Sequence, residues 1–467
     1  MTDRRPETPH VLCVNPWIHD FAAFDFWARP LGLLTLAAIL RENRVRVTFM
    51  DCLDRFHPRA GSGTRIYPDG RGPYRKTEIP KPAALNEEAP GRYSRYGIDP
   101  EWFRADLRQM ERPDLVLVTS LMTYWAGGVR ETIATIKEIF PETPVVLGGI
   151  YATLMTGHAV ALSLADEVVP GAGEQKIGEI VRRHTGFSFT PNPTFDTLDD
   201  LDTLPLPALD LVTNLTHAPL LTTRGCPFAC EYCASSFLEP RFRRRSPESI
   251  VQEIRHWNNL RGVKNFAFYD DALLIDSATH AIPLFKAIIE LDMNLAFHTP
   301  NALHIRGITQ QTATLMFKAG FKSIRLGLET TDFSRTRRLD RKVDANEFHR
   351  AVTLLKKAGF KRGQIGAYLL CGLPDQKKED VENSIFEVKK SGITPVLAFY
   401  TPIPHTPMWE RAKKSSRFDL DKDPVFSNNA LFPCFTETIS METISQLKKM
   451  TKCPIEDQNQ ENVPLLV

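Results

Sequence analysis

The sequence predicts an α/β protein in two successive parts: an N-terminal doubly wound parallel sheet and then a partial (β/α)6 barrel. Three observations carry this reading. Short apolar runs alternate with helical ones from residue 11 to about 185; a stretch rich in Pro, Thr and Asp with no sustained period interrupts them at 186–215; and six further strand–helix units follow at 216–410. A chain of 467 residues is too long for one ordinary core and suits two or three domains.

In the first part, "VLCV", "RVTFMDCLD", "DLVLVTSLM", "PVVLGGI" and "DEVVPGAG" read as strands. Between them, "PLGLLTLAAILREN", "GVRETIATIKEIF", "GHAVALSL" and "EQKIGEIVRRH" place apolar residues at helical spacing. Parallel strands need crossovers, and right-handed helical crossovers cover both faces of the sheet, which gives a Rossmann-like domain over 1–185. Residues 56–112 break the rhythm with many Pro, Gly, Arg and Tyr residues and little periodicity, so an irregular insertion is expected there.

In the second part the strands are "PLLTTRG", "NFAFYDD", "NLAFHTP", "SIRLGLET", "QIGAYLLCGLP" and "PVLAFYTP". Helices such as "SPESIVQEIRHWNNL" lie between them, opened by a capping Ser246, Pro247 and an early acid, Glu248. Six such units suit a TIM-type partial barrel, whose ligands sit beyond the C-terminal ends of the strands. Residues 411–467 turn polar and irregular, which predicts a small appendage with a loose tail.

Composition narrows the function. Lys and Arg total 58 against 56 Asp and Glu, so charge predicts no nucleic-acid partner. No stretch approaches the roughly 20 apolar residues of a membrane span, and the N-terminus lacks a secretory apolar region; a cytoplasmic protein is expected. In that reducing setting eight cysteines are thiols or metal ligands rather than bridges. Cys13, Cys52, Cys371, Cys434 and Cys453 each stand alone and read as small buried hydrophobes.

Cys226, Cys230 and Cys233, in "RGCPFACEYC", fall together directly after the first barrel strand. Spacings of four and three let three thiolates enclose one small volume. Structural zinc wants a fourth Cys or His close by, and the next histidine is His256, well along a predicted helix. Chance clustering and zinc remain alternatives, but an iron–sulfur cluster with one iron left open fits the three ligands best. Arg224 and the loop's N–H groups could offset its negative charge, and "RFRRR" at 241–245 is either a contributor or a solvated turn.

This CxxxCxxC segment, with the aromatic Tyr232 before its last cysteine, resembles the radical S-adenosylmethionine superfamily. The resemblance implies a four-iron four-sulfur (4Fe-4S) cluster on Cys226, Cys230 and Cys233. S-adenosylmethionine would chelate the open iron and be cleaved to a 5′-deoxyadenosyl radical, with Tyr232 near the adenine. It further implies cofactor contacts at the other strand ends: Asp270 and Asp271 toward the ammonium, Asn301 as a polar contact, Glu329 on the ribose, and Gly372, Leu373 and Pro374 against the adenine. The bland readings are a capping pair, a surface salt bridge and an ordinary tight turn. His298 reads as a packed core histidine.

A doubly wound domain before such a barrel is similar to the cobalamin-binding subclass of that superfamily. Gly148, Gly149, Gly171 and Gly173 would let a large ligand approach the backbone, or simply end their strands. Thr123 and Tyr124, with Trp125, would face the cobalt's lower side. The D-x-H-x-x-G segment that supplies a histidine to cobalt in many cobalamin proteins is missing. The resemblance implies methyl transfer to an unactivated carbon of a small-molecule substrate, driven by an electron donor such as flavodoxin or ferredoxin. The alternatives are radical rearrangement, cyclisation or oxidation without methyl transfer, and, from another class, a structural metal or electron-transfer cluster protein.

Overall fold

Strand β1 (His10–Asn15) is buried on both faces, and Val11 to Val14 are fully inaccessible, as the interior strand of a parallel sheet must be. In the computed structural model, which describes residues 8–61, 63–85, 89, 91–189, 199–334, 339–340, 343–434 and 440–452, it pairs with β3 (Arg46–Asp51) on one side and β6 (Leu115–Val118) on the other. With β7 (Val145–Leu147) and β8 (Glu167–Val168) the order is β3-β1-β6-β7-β8, all parallel. The order turns back at β1, so the ligand crevice of this doubly wound sheet lies past the carboxyl ends of its central strands.

Alternating side chains of β1 divide the core into two layers. Val11 and Cys13 pack with Leu33, Ala37 and Leu40 of helix 31–42 and with Ile177 and Val181 of helix 177–185. Leu12 and Val14 pack with Phe103 and Leu107 of helix 100–109 and with Val129, Ile133 and Ile136 of helix 126–139.

The segment 56–112 carries more structure than its sequence suggests. Strands β4 (Lys76–Glu78) and β5 (Ser94–Tyr96) form a small antiparallel sheet with β2 (Ile18–Asp20), in the order β2-β5-β4. Helix 100–109 begins with the Asp99 carboxylate accepting the Glu101 N–H at 2.9 Å and Pro100 at its first turn. It buries only Phe103 and Leu107, too narrow a stripe to register as a period.

The second sheet contains β9 (Ala218–Leu220), β12 (Asn265–Phe268), β13 (Ala296–His298), β14 (Phe321–Glu329), β15 (Ile365–Cys371) and β16 (Thr394–Phe399). They lie side by side in chain order, all parallel, as a partial barrel requires. Phe266, Phe268, Phe297 and Phe321 pack ring against ring across β12, β13 and β14 as its centre. Ser246 caps helix 247–261 by accepting the Ser249 N–H, as expected.

The described residues on either side of the barrel pack against it. The seam before the barrel is packed: Leu209, Val212 and Leu215 join the barrel core, and the Ala208 N–H donates to the Leu34 carbonyl in helix 31–42. The C-terminal part packs as well: Ile444 and Leu447 of helix 441–452 enter the barrel core and Val425, Phe426 and Leu431 form a satellite core with Leu373 and Tyr400. Two short 3-10 turns, 424–427 and 429–431, give this stretch its shape, and such turns leave no 3.6-residue period to read. The expected tail beyond 452, with Cys453, lies outside the described residues. Cys13, Cys52, Cys371 and Cys434 are buried hydrophobes, as expected. Among the described residues no helix is long and apolar enough to cross a membrane.

Candidate active site

The three clustered cysteines lie on a loop closed at its base. β10 (Thr223–Arg224) pairs antiparallel with β11 (Arg243–Arg244), so residues 225–242 leave and return at one point just past the end of β9. Gly225 has φ +81°, and a Cβ there would lie 2.5 Å from the Arg241 carbonyl oxygen and 2.9 Å from that of Glu239. Only glycine lets the two arms of the loop meet so closely.

Cys230 is buried, while Cys226 and Cys233 are half-buried. The Ser235 N–H donates to Cys233 Sγ at 3.4 Å, and His304 Nε2 lies 3.7 Å from Cys226 Sγ. Among the described residues no three His, Cys, Asp or Glu side chains converge on a point that could hold one metal ion. A four-iron cluster makes no such demand, because each thiolate binds a different iron. A short loop of three thiols with donors aimed at two of their sulfurs fits that group.

The loop is pinned to the segments that follow β14 and β16. The Glu231 N–H donates to the Leu339 carbonyl at 3.0 Å, and the Met408 N–H donates to the Glu231 carbonyl at 2.9 Å. Between these, Tyr232 donates to Asp340 Oδ2 at 3.3 Å. Burial, then the negative charges of Glu329, Cys230 and Asp340, push its phenol well above the ordinary range, so it stays a neutral donor.

The remaining candidates line the C-terminal edge of the barrel sheet. Asp270 is buried, and its Oδ1 accepts from the Thr222 N–H at 3.1 Å and from the hydroxyls of Thr222 at 2.6 Å and Thr223 at 2.8 Å, while Oδ2 has no hydrogen-bond partner. It braces the base of the cysteine loop and is not a helix cap. Desolvation raises its pKa to about 6 despite these donors. Asp271 is exposed and accepts from the Ser235 hydroxyl at 2.8 Å, two residues beyond Cys233. Asn301 donates to the Tyr269 carbonyl at 2.7 Å.

Glu329 is buried at the end of β14 with φ +65°, where the register with β15 slips. A buried, non-glycine residue held in the left-handed region is strained, and its negative charge helps to raise the phenols of Tyr232 and Tyr368, whose hydroxyls donate elsewhere, to Asp340 and to the Pro300 carbonyl. Gly372, Leu373 and Pro374 form a buried turn whose Gly372 and Leu373 N–H groups already donate to Gln376 Oε1, at 2.8 and 3.2 Å. The Leu373 side chain is buried in the satellite core with Tyr400 and Phe426, so an adenine there would meet backbone rather than that side chain.

In the N-terminal sheet the candidates divide. Thr123 and Tyr124 are covered rather than facing a ligand: Thr123 Oγ1 lies 3.3 Å from Ser427 Oγ, under the turn 424–427. Trp125 donates to the buried Asp20 at 2.6 Å. The two residues just before them, Leu121 and Met122, are 44% and 41% exposed at the end of β6 and offer the apolar surface instead. Gly149 (φ +96°) and Gly173 serve packing, since added Cβ atoms would meet Ser120 backbone at 2.3 Å and Leu36 at 3.0 Å. Gly148 and Gly171 face more open space, with nearest atoms at 3.7 and 3.8 Å. This edge, apolar at Leu121 and Met122 and open at Gly148 and Gly171, fits a large ligand such as cobalamin.

Among the contacts that hold the two sheets against each other, two stand beside the cysteine loop. Arg224, at the base of the cysteine loop, donates to Glu174 at 2.6 Å, just after Gly173. It therefore serves the domain junction, and Arg241, Arg243, Arg244 and Arg245 likewise bond Asp199, Glu239, Thr279 and Glu253 instead of gathering on the cysteines. On the other side, His405 stacks on Phe237 (4.1 Å, 4°) and donates to the Leu154 carbonyl at 3.0 Å. Sequence reasoning missed Glu174, His304, Gln376 and His405. Only Gln376, four residues after a glycine in "CGLPDQ", had a local signal as a turn-capping side chain.

Comparison with known proteins agrees with this geometry. A family model described as the radical SAM superfamily (SAM, S-adenosylmethionine) matches residues 220–410. An uncharacterized methyltransferase of Pyrococcus horikoshii is 25% identical over 64% of this chain and 69% of its own length. The anaerobic magnesium-protoporphyrin IX monomethyl ester cyclase of Cereibacter sphaeroides is 25% identical over 68% of this chain and 56% of its own. Among solved structures, the radical S-adenosylmethionine methyltransferase TsrM of Kitasatospora setae superposes with a TM-score of 0.63 at 16% identity, over 87% of this chain and 77% of TsrM. The form of TsrM with cobalamin and its iron–sulfur cluster bound gives a TM-score of 0.61. At that identity the likeness establishes the fold.

Proposed function

Because the chain belongs to the radical S-adenosylmethionine superfamily, we propose that this enzyme is a cobalamin-dependent methyltransferase acting on an unactivated carbon of a small molecule. The observation that carries the proposal is the placement of a three-cysteine loop at one sheet edge, bolted by Arg224–Glu174 and by Phe237–His405–Leu154 to the edge of a doubly wound sheet. When bound, the 4Fe-4S cluster with S-adenosylmethionine supplies a 5′-deoxyadenosyl radical and cobalamin supplies the methyl group.

The chain's own part is to bind, orient and shield. Cys226, Cys230 and Cys233 would hold the cluster. Tyr232, kept neutral and anchored on Asp340, walls one side of the cofactor. Glu329 would serve the ribose, Asp271 and Asn301 the amino-acid end, and the turn of Gly372, Leu373 and Pro374 the adenine. Asp270 fixes Thr222 and Thr223 and thereby the loop's first arm. Leu121, Met122, Gly148 and Gly171 form the floor for cobalamin. The reductant is a cytoplasmic electron donor of the flavodoxin or ferredoxin kind.

Anaerobic reconstitution tests this reading. Four irons per chain, retained cobalamin, and formation of both 5′-deoxyadenosine and S-adenosylhomocysteine on adding reductant and S-adenosylmethionine support it. Zinc, or no 5′-deoxyadenosine, refutes it. The similarity to a cyclase favours a second reading, radical cyclisation without methyl transfer, which predicts 5′-deoxyadenosine but no S-adenosylhomocysteine.

A further inference from the structure

We propose that His304 is a positioning residue of the cluster, donating a hydrogen bond from Nε2 to the Cys226 sulfur and raising the cluster's reduction potential. The inference rests on the radical S-adenosylmethionine reading of the cysteines. His304 lies 78 positions along the chain from Cys226, on a different strand's loop, yet its Nε2 lies 3.7 Å from that sulfur.

The placement is rigid. Leu303, the residue before it, donates its N–H to the Arg325 carbonyl at 2.7 Å and accepts the Gly327 N–H at 3.1 Å, so the chain is fixed to β14 on both sides. The His304 carbonyl accepts the Gly307 N–H at 3.0 Å. The ring is buried, and Phe228, between Cys226 and Cys230, packs on it with centroids 4.4 Å apart and planes at 37°. A mobile side chain could not tune a sulfur; this one is held by backbone below and an aromatic ring beside it.

The direction of the hydrogen bond follows from the ligand. A thiolate bound to iron has no proton, so the hydrogen between the two atoms belongs to Nε2 and the sulfur accepts. Hydrogen bonds to cluster sulfurs draw off negative charge and favour the reduced state, which is the more negative one. Cys233 has the equivalent donor in the Ser235 N–H, so two of the three ligands are supported from outside the cluster.

The test uses the reconstituted full chain with three proteins: wild type, His304→Gln, which keeps an N–H donor, and His304→Phe, which keeps the ring against Phe228 but donates nothing. All three are matched for iron content. In an anaerobic dye titration read by electron paramagnetic resonance, His304→Phe is expected to shift the reduced-to-oxidised ratio about tenfold toward oxidised. That equals a fall of about 59 mV for one electron. His304→Gln should stay within a third of that shift from wild type. Independently of any variant, the reduced wild-type cluster labelled with 15N-histidine should show a weak hyperfine coupling to one histidine nitrogen. An unchanged potential in His304→Phe, no 15N coupling in wild type, or a strong coupling marking the nitrogen as an iron ligand would each overturn the proposal. Wild type that takes up no four-iron cluster would instead refute the superfamily chemistry, and iron analysis separates the two failures.

Discussion

Arg224 and Glu174 make a buried ion pair across the two sheets, with Nη2 and Oε1 2.6 Å apart and side-chain exposures of 12% and 6%. One partner stands at the root of the cysteine loop and the other just beyond the last strand of the N-terminal sheet, so the pair sets the distance between the two cofactor edges. Removing one partner strands a buried charge, which costs about 3–5 kcal/mol. Glu174→Ala is therefore expected to lower the unfolding free energy by about that much in denaturant titration. The apolar pair Glu174→Leu with Arg224→Met should recover most of the loss. If Glu174→Ala is as stable as wild type, the bolt is not one.

Changing any of Cys226, Cys230 or Cys233 to alanine is expected to remove the iron–sulfur absorption and to abolish 5′-deoxyadenosine formation. Retained cobalamin should be unaffected, because its floor lies on the other sheet. Cys371→Ser, in the fully buried interior of β15, is the control: it should cost stability while keeping four irons. Iron analysis and product chromatography on the same preparations decide the matter.

Local signals carried the strands and the cysteines. Most strands of both sheets are short apolar runs bounded by turn residues, and the three thiols lie within eight positions, so nothing long-range is needed to see them. What the sequence hid depends on the fold bringing distant positions together. His304 meets Cys226, Glu174 meets Arg224, and Ser427 covers Thr123 across some three hundred residues; none of these pairs has a spacing that chemistry would flag. Helix 100–109 escaped notice because it buries just two side chains, and the C-terminal segment because its turns follow no helical period.

Asp270 gives the fold a defined pH dependence. Burial raises its pKa from the ordinary 3.8 to about 6. Between those values the folded chain holds a proton that the unfolded chain has released, so this contribution to stability falls as pH rises from about 4 to about 6, then levels off. Asp270→Asn, which keeps an acceptor for Thr222 and Thr223, should remove that slope. Denaturant midpoints at pH 4, 5, 6 and 7 on wild type and variant check it, and parallel curves would show that Asp270 titrates normally.

Gly148 and Gly149 stand side by side after β7, yet they are expected to answer substitution in opposite ways. At Gly149 a Cβ would lie 2.3 Å from the Ser120 carbonyl oxygen and 2.7 Å from its nitrogen, with φ at +96°. Both neighbours are backbone of the adjacent strand end and cannot swing aside. Gly149→Ala thus adds a backbone clash to strain of about 1–3 kcal/mol, and should visibly lower the melting temperature. At Gly148 the nearest atom to a Cβ is the Val169 carbonyl oxygen at 3.7 Å, ordinary contact distance, so a side chain there disturbs no packing. It would instead project into the space past the strand ends that the proposed function gives to cobalamin. Gly148→Leu is therefore expected to fold like wild type but to retain little cobalamin through purification, measured by its visible absorption per chain. Full retention in a folded Gly148→Leu protein would move the cobalamin floor away from this edge.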